Sequence, residues 1–339
     1  MRELVLILPD LFLHAEATGR KAETPLTALR FAAPRVMRGG WRGMLARGVG
    51  REDLVLVDEA SVIDAALRGV TCAASAEVAA TTSDEPWIAT PLHLLAGLST
   101  VHFPANGLLR LAPSEADELA EEFGKIFGVD GLELVPAGSV GFILRGLVTG
   151  GAETTDPARL VGGSLEESLP RGAGSAELRA LASELEMWLH ALPLNRRRAA
   201  RGEPPLSALW LWGGGQPPRD SLASRAYNEA VRWQRLVGDD VWVQALGLLS
   251  GVTTESLQLP WRVADADESC CVIAPLADHD LESIDRQLVQ PLVGELHAGR
   301  LGTLAIVAND RWTAVRAADR YKFWRPRQTA LAALLDSPA

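Results

Sequence analysis

The sequence predicts an α/β fold, and three stretches carry that prediction. The run 4–8, Leu-Val-Leu-Ile-Leu, is continuously apolar and is followed by Pro9-Asp10, as expected for a strand buried on both faces of a parallel sheet. A strong amphipathic helical pattern over 175–192 precedes an apolar strand at 209–212, which runs into a glycine turn. Another apolar strand, 301–307, follows a further helical pattern. Helices that alternate with buried strands are typical of α/β proteins.

The N-terminal half begins with the buried strand, which places Asp10 at its carboxyl end, where open α/β sheets bind ligands. Thr24-Pro25 predicts a helix start, because threonine is a good N-cap and proline fits the first helical position. Apolar spacing predicts a helix over 53–67 and another from Ser114 to Phe127, which begins in capping-box style. Strands are expected at 87–90, 98–103, 132–135 and 140–144, and the last two form a β-pair.

The glycine-rich stretch 146–174 predicts a long loop or a boundary between two parts. We therefore expect three regions: an N-terminal α/β part with a β-pair insertion (1–150), a glycine-rich connector (151–174), and a C-terminal α/β part that completes the sheet (175–339). In the last region the helix 175–192 is closed by Pro193. A helix is expected over 279–296, and strands begin near 209, 272 and 301.

Composition bounds the class of protein. The chain has 339 residues and 36.3 kDa, enough for one large or two medium domains with a substantial core. The chain has 43 aspartates and glutamates but only 33 lysines and arginines. The resulting net charge of -10 argues against nucleic acid or an anionic membrane as a partner. Three cysteines fit neither a metal pattern nor a disulfide framework, so a cytoplasmic location is expected. The uncharged stretch 86–109 contains prolines and histidines, so no membrane span is expected.

The segment 190–215 resembles a known family. It reads His-Ala-Leu-Pro-Leu-Asn-Arg-Arg-Arg over 190–198, Gly-Glu-Pro-Pro over 202–205, and Leu-Trp-Leu-Trp-Gly-Gly-Gly over 209–215. This order of motifs is similar to that of the archaeal-type cofactor-independent phosphoglycerate mutases. It resembles more closely a proteobacterial group of their relatives, which includes regulatory proteins encoded with diffusible-signal (rpf) genes.

Further pieces match the mutase pattern in order along most of the chain: Pro9-Asp10, Thr24-Pro25-Leu26, Thr155-Asp156-Pro157 and the helix from Leu281 to Leu292. The resemblance implies a three-layer α/β/α sheet of the alkaline-phosphatase-like superfamily, reduced here, with an inserted α+β subdomain. It also implies that Asn195 and Arg198 lie beside the site that would be active in a mutase.

The departures from the mutase pattern concern the metal ligands. The family holds two metal ions through aspartates and histidines, which stabilise the attacking and leaving oxygens of phosphoryl transfer. Here Asp10 is followed by leucine, no Gly-Ser-Asp nucleophile segment occurs near 60–80, and Asn309-Asp310 stands where an Asp-His is expected. Asp10 is therefore either a vestigial metal ligand or part of a strand-end turn, and the catalytic residues are unassigned.

The candidate ligand site is an anion-recognising patch. It consists of Asn195, Arg196, Arg197, Arg198 and Arg201, and arginine can bind phosphate or carboxylate through two hydrogen bonds. A surface that recognises an anion or a protein is one interpretation, and a solvated loop after a helix is the alternative. Gly213 and Gly215 flank a turn whose backbone N–H groups could face an anion, but the lysine and hydroxyl residue of a P-loop are missing, so a plain tight turn is at least as good an interpretation.

Two other segments have simpler explanations. Asp278-His279-Asp280 could bind one metal, but a helix N-cap is the favoured interpretation, because acidic residues complement the positive end of the helix dipole. The basic and aromatic stretch 311–327 could stack on nucleic-acid bases. At an overall charge of -10, an amphipathic closing element whose arginines extend to solvent is favoured.

These observations predict a phosphoglycerate-mutase-like protein that has lost most metal ligands. We expect a non-catalytic binding, scaffolding or regulatory protein without a cofactor, whose partner is another protein or a small anionic ligand. The alternative is a metal-dependent phosphotransferase or phosphatase that uses Mn, Mg or Zn at an unconventional site around Asp10, Asn195, Arg198 and the glycine turn.

Overall fold

The computed structural model describes most of the chain and groups it into two compact units. The described residues are 3–11, 35–37, 40–74, 77–78, 85–97, 101–104, 106–160, 165–215, 233–262, 269–275, 280–308 and 310–321. The first unit is built from Met1–Val55, Leu222–Asp239 and Ser250–Ala339, and the second from Leu56–Ser221 and Asp240–Leu249. Each unit therefore draws on separate stretches of sequence.

A seven-stranded, mostly parallel sheet forms the first unit. In chain order its strands are β1 (Glu3–Ile7), β2 (Arg35–Val36), β9 (Arg235–Val237), β10 (Thr253–Glu255), β11 (Cys270–Ile273), β12 (Thr303–Ala308) and β13 (Arg311–Val315). Their spatial order is β10-β9-β11-β1-β12-β13-β2, and the two pairings that involve β13 are antiparallel. The numbers β3 to β8 belong to strands of the second unit.

The central strand β1 is continuously apolar because both of its edges and both of its faces are covered. Leu4 pairs with Cys270 on one side and with Leu304 on the other. Parallel strands buried in this way are expected to be apolar without alternation. The core on this sheet includes β1 and the helical segment that follows β11.

Where the first unit is described, its α- and π-helical segments are α1 (Gly40–Gly48), α7 (Leu281–Ile284), a π-helical turn (Asp285–Val289) and α8 (Gln290–His297). Asp280 caps α7 by accepting a 2.8 Å hydrogen bond from the Ser283 N–H, which confirms the capping interpretation for that residue. Residues 278–279 lie outside the described residues.

The second unit contains an antiparallel four-stranded sheet, with the order β6-β7-β3-β8. Its strands are β3 (Trp87–Leu92), β6 (Glu133–Pro136), β7 (Phe142–Arg145) and β8 (Ala208–Trp212), and a separate hairpin consists of β4 (Leu95–Ala96) and β5 (Val101–His102). The predicted β-pair is confirmed as the pairing of β6 with β7.

Five helices belong to the second unit among the described residues: α2 (Glu59–Leu67), α3 (Pro113–Phe127), α4 (Ser175–Ala191), α5 (Pro193–Ala200) and α6 (Val241–Ser250). Apolar faces of α3 and α4 share one core with β3, β7 and β8. In that core Phe123 stacks on Phe127 at 4.7 Å, and Trp188 meets both rings edge-on. This unit is the α+β subdomain expected from the resemblance.

The fold-class prediction is confirmed: the structure is α/β, with a mostly parallel sheet and an additional α+β unit. Several boundaries differ. The helix predicted over 53–67 is a 3-10 turn (Glu52–Leu56) followed by α2, because Asp58 caps the helix there. The helix α3 begins at Pro113, and Glu115, not Asp117, folds back to accept from the Ala112 N–H. The helix start predicted at Thr24-Pro25 lies outside the described residues.

Pro193 starts a helix as well as ending one. It occupies the first turn of α5, where its missing N–H is not needed, and Asn195 and Arg198 therefore stand on a helix and not on a loop. The stretch 311–327 begins with β13 and a 3-10 turn (Ala317–Tyr321), so its first residues form a strand of the sheet of the first unit, between β12 and β2. Residues 322–327 lie outside the described residues.

The observed division differs from the three regions expected from the sequence. The connector 151–174 lies within the second unit, because β8, which follows it, pairs with β3, which precedes it. In the first unit, β1 pairs with β12, although about 300 residues of sequence separate the two strands. Among the described residues, no helix is long and apolar enough to cross a membrane.

Candidate functional site

Asp10 lies just beyond the carboxyl end of β1, in the first unit, and is only 5% exposed. Strand ends of this kind bind ligands in open α/β sheets. A two-metal centre needs several carboxylates or imidazoles together. Within the described ranges, no three His, Cys, Asp or Glu side chains come together in a way that could hold a metal ion. Residues 278, 279 and 309, at positions where the mutase pattern has further metal ligands, lie outside the described residues.

Asn195 joins the end of α4 to the chain that enters β8. Its side-chain amide donates 2.9 Å hydrogen bonds to the carbonyls of Leu189 and Leu206, and its Oδ1 accepts a 2.7 Å bond from the Leu206 N–H. The amide group is thus engaged on both its oxygen and its nitrogen. These contacts describe a clamp across the eleven residues from 195 to 206.

Arg198 extends the same clamp. Its side chain is 4% exposed, its Nε donates to the Pro204 carbonyl at 2.9 Å, and its Nη1 donates to Glu115 at 2.8 Å. Glu115 belongs to the first turn of α3, so the buried ion pair ties α5 to α3. Breaking such a pair from one side leaves an uncompensated buried charge. The contacts of Asn195 and Arg198 favour a structural role, and the anion-binding role stays a prediction.

The glycine turn at 213–215 packs against the chain that enters β3. Gly213 and Gly215 have φ values of +65° and +61°, a region that favours glycine. Between them, a Cβ on Gly214 would lie 2.0 Å from the Pro86 carbonyl oxygen. The Gly213 N–H donates to the Thr154 hydroxyl at 3.1 Å. The turn is therefore tight for reasons of packing, and its anion-binding role also stays a prediction.

A carboxyl group that the sequence reasoning missed lies near this turn. Asp58 caps α2, because its carboxylate accepts hydrogen bonds from the N–H and the hydroxyl of Ser61. The Ala60 N–H, two residues after Asp58, donates to the Gly213 carbonyl at 2.7 Å. Burial raises the pKa of Asp58 from 3.8 to about 6, although the bonds from Ser61 oppose the shift. The capping signal was present in the sequence, since Asp58 precedes an apolar helical pattern.

The second unit also holds a cavity of about 530 Å³, a size typical of ligand sites. It is lined by β8, by α4, and by the segments near 94–101 and 165–170. Most lining side chains are apolar, and the charged ones are Glu166, Arg179 and Glu186. Partial burial raises the pKa of Glu186. This cavity brings together none of the predicted site residues, and its only signal in the sequence is a small-residue position on α4, Ala182-Ser183.

Comparison with known proteins points to the family already suggested by the motifs. A stretch of 155 residues is 31% identical to a 2,3-bisphosphoglycerate-independent phosphoglycerate mutase of Methanothrix thermoacetophila, which covers 46% of this chain and 36% of the relative. A stretch of 185 residues is 25% identical to mutase 2 of Methanothermobacter thermautotrophicus, over 54% of this chain and 44% of the relative. A Geobacter sulfurreducens protein named "Probable 2,3-bisphosphoglycerate-independent phosphoglycerate mutase" is 32% identical over 114 residues, or 32% of this chain and 28% of the relative.

The chain is thus similar to cofactor-independent phosphoglycerate mutases over less than half the length of each of these relatives. No protein-family model matches it. Among solved structures, a cofactor-independent phosphoglycerate mutase from Thermoplasma acidophilum aligns over 93% of this chain and 89% of its own, with 16% identity and a TM-score of 0.35. A Pyrococcus horikoshii protein aligns over 98% and 92%, with 13% identity and a TM-score of 0.40. The evidence for homology to the mutases is therefore the sequence identity, and not the structural alignments.

Proposed function

We propose that this phosphoglycerate-mutase-like protein is a non-catalytic binding, scaffolding or regulatory protein, of the kind encoded with diffusible-signal genes. The observation that carries the proposal is the clamp formed by Asn195 and Arg198. Residues that the mutase resemblance assigns to the neighbourhood of an active site here form hydrogen bonds with their own chain.

The departures at the metal ligands support the same conclusion. Asp10 is followed by leucine in place of the glycine and second aspartate of the mutase pattern, and Asn309-Asp310 replaces an Asp-His. Phosphoryl transfer depends on charge stabilisation by metal ions and arginines at the transferred group. A chain without those ligands can still fold and present surfaces for binding, because function belongs to sites and not to folds.

The alternative is a metal-dependent phosphotransferase or phosphatase that uses Mn, Mg or Zn. It needs Asp10 as a ligand, together with Asn195, Arg198 and the glycine turn as substrate contacts. Asp10 belongs to the first unit and the other residues belong to the second. The alternative therefore predicts that changes in either unit abolish one and the same activity.

The deciding experiment measures metal content and turnover on one preparation of the full chain. Metal is determined by mass spectrometry of the elements, and phosphoglycerate mutase and general phosphatase activity are assayed with Mn, Mg or Zn added. We expect no stoichiometric metal and no turnover above the level of Asp10→Ala. Stoichiometric metal, with turnover that the Asp10→Ala variant loses, would overturn the proposal in favour of the alternative.

A further inference from the structure

The 530 Å³ cavity is built from the second unit, because the residues that line it lie between 94 and 211. Leu209 and Leu211 of β8 line its buried part. Val101 and Leu169 line its open part, with 43% and 37% of their surfaces exposed. A ligand that covers apolar side chains of this kind gains about 25 cal/mol for each Å² removed from water. The size and the apolar walls of the cavity therefore suit a small organic molecule.

Arg179 of α4 is the cation among the described residues that line the cavity. Its Nε donates to the Ser175 carbonyl at 3.1 Å, and its Nη2 donates to the Ser175 hydroxyl at 3.2 Å. Both acceptors are uncharged, and in the part of the chain that the structure describes no carboxylate pairs with Arg179. A guanidinium has five N–H donors, so the end formed by Nη1 and Nη2 stays available to bind a carboxylate through two hydrogen bonds.

Glu186, also on α4, supplies the opposite charge. Partial burial alone raises the pKa of this carboxyl, and no hydrogen bond or neighbouring charge from the described residues opposes the shift. A cation bound beside the Glu186 carboxylate would compensate that loss of hydration. Glu166, the other acidic residue of the lining, already has an interaction partner in the protein. The lining thus offers a ligand one cation and one anion.

The helix α4 sets the distance between these two groups. Arg179 and Glu186 are seven positions apart, which corresponds to about 10.5 Å along the axis and to sides that differ by only about 20°. Between them, Ala182 and Ser183 line the same cavity with small side chains. One wall therefore presents two opposite charges, separated by a stretch along which an uncharged chain can lie.

We propose that this cavity binds a small organic zwitterion with an apolar middle, whose carboxylate pairs with Arg179 and whose ammonium group pairs with Glu186. A ligand with one charge would leave one of these side chains without a partner, whereas a zwitterion complements both. This inference deepens the proposed function, and rests on it, by giving the binding role a ligand class.

The test uses the full chain and ω-aminooctanoate, whose extended chain separates its charges by a distance comparable to that between the two side chains. Octanoate and octylamine have the same number of carbons, and each lacks one of the two charges. γ-Aminobutyrate has both charges but is too short to reach both side chains at once. Dissociation constants are measured by ligand-observed NMR titration. We expect ω-aminooctanoate to bind at least about threefold more tightly than each of the other three.

Variants of α4 test each end of the ligand separately. Arg179→Gln is expected to weaken the binding of ω-aminooctanoate about tenfold, because a bidentate pair is lost, and to change octylamine binding by less than about twofold. Glu186→Gln is expected to weaken it about threefold, as for a partly exposed ion pair, and to leave octanoate binding unchanged. Glu184→Gln removes the same charge from a residue of α4 that does not line the cavity, and is the matched control. Circular dichroism checks that the variants keep the native fold.

The ligand series decides the proposal even where a variant fails to fold, because it leaves the protein unchanged. The proposal is overturned if ω-aminooctanoate does not bind, or if Arg179→Gln weakens octylamine as much as ω-aminooctanoate, which would show a general distortion of the cavity. Tightest binding of octanoate would assign the cavity to plain organic acids, and tightest binding of octylamine would assign it to apolar amines. Either result also overturns the proposal.

Failure here is distinguishable from failure of the proposed function. The ligand titration reads occupancy of the cavity, and the metal and turnover assay reads catalysis. Zwitterion binding by a chain that holds metal and turns over substrate would keep the ligand class and remove the non-catalytic role. Absence of both zwitterion binding and turnover would keep the non-catalytic role and remove the ligand class.

Discussion

Replacing Asn195 with alanine tests whether this residue is a clamp or a ligand contact. The change removes three hydrogen bonds at 2.9, 2.9 and 2.7 Å and leaves the N–H and C=O of Leu206 without those partners. At about 1 kcal/mol for each bond, the expected loss is about 3 kcal/mol of unfolding free energy. The measurement is urea unfolding followed by tryptophan fluorescence, since Trp210 and Trp212 lie in the strand that the clamp secures.

A matched control comes from the same helix. Arg197 forms an ion pair with Glu118, and both side chains are at least 40% exposed, so Arg197→Ala is expected to change stability by less than about 1 kcal/mol. The clamp interpretation is refuted if Asn195→Ala unfolds at the same urea concentration as Arg197→Ala. A phosphate-dependent stabilisation that Asn195→Ala alone abolishes would show instead that the residue contacts an anion.

Three further predictions concern local features of the structure. Because the pKa of Asp58 is raised to about 6, the native state binds the proton more tightly than the unfolded state, so stability is highest below pH 3.8 for this group and falls as the pH rises through 6. The shift corresponds to about 3 kcal/mol, and Asp58→Asn, which keeps a capping oxygen, is expected to remove that part of the pH dependence in urea titrations between pH 4 and pH 7. Gly214→Ala is expected to lower the melting temperature, because the added Cβ would clash with the backbone of Pro86. The control Gly124→Ala, in open space on α3, is expected to raise the melting temperature by the equivalent of about 0.5–1 kcal/mol. Equal melting temperatures of the two variants would contradict the packing argument. A thiol reagent at pH 8 is expected to modify exposed Cys72 alone in the native chain, because burial raises the pKa of the Cys271 thiol well above its usual range; rapid modification of three thiols without denaturant would refute the burial of β11.

Much of the fold could be predicted from the sequence, because local residue patterns determine many of the strands, helices and turns. The apolar run 4–8 has the composition that a doubly buried strand requires, and β1 is such a strand. The period of α4 and the glycines after β8 likewise follow from helix and turn geometry. A helix or a strand could be predicted wherever the burial of one face requires apolar residues at a regular spacing.

The division into units could not be predicted, because it depends on pairings between distant residues. A glycine-rich stretch signals a turn or loop wherever it occurs, and 151–174 lies within one unit. The pairing of β3 with β8 across that stretch shows this, and the sequence of neither strand identifies the strand with which it pairs.

The contacts of the candidate site could not be predicted from the sequence. The sequence suggests anion binding by Asn195 and Arg198, which stays a prediction, but their partners Leu206 and Glu115 are placed by the packing of helices against a loop. Arg198 and Glu115 are 83 positions apart in sequence. The cavity beside β8 is lined by segments that are distant in sequence, so no periodicity in the sequence predicts it.

The position of β1 has a consequence for the order of folding during synthesis. Leu4 leaves the ribosome 266 residues before its neighbour Cys270 and 300 residues before its neighbour Leu304. At about 5–20 residues per second, β1 waits on the order of tens of seconds for either neighbour. The four strands of the second unit's sheet are all synthesised within that interval. A nascent chain therefore carries a folded second unit while the most apolar strand of the first still needs protection, and such a chain is the form that chaperones are expected to meet.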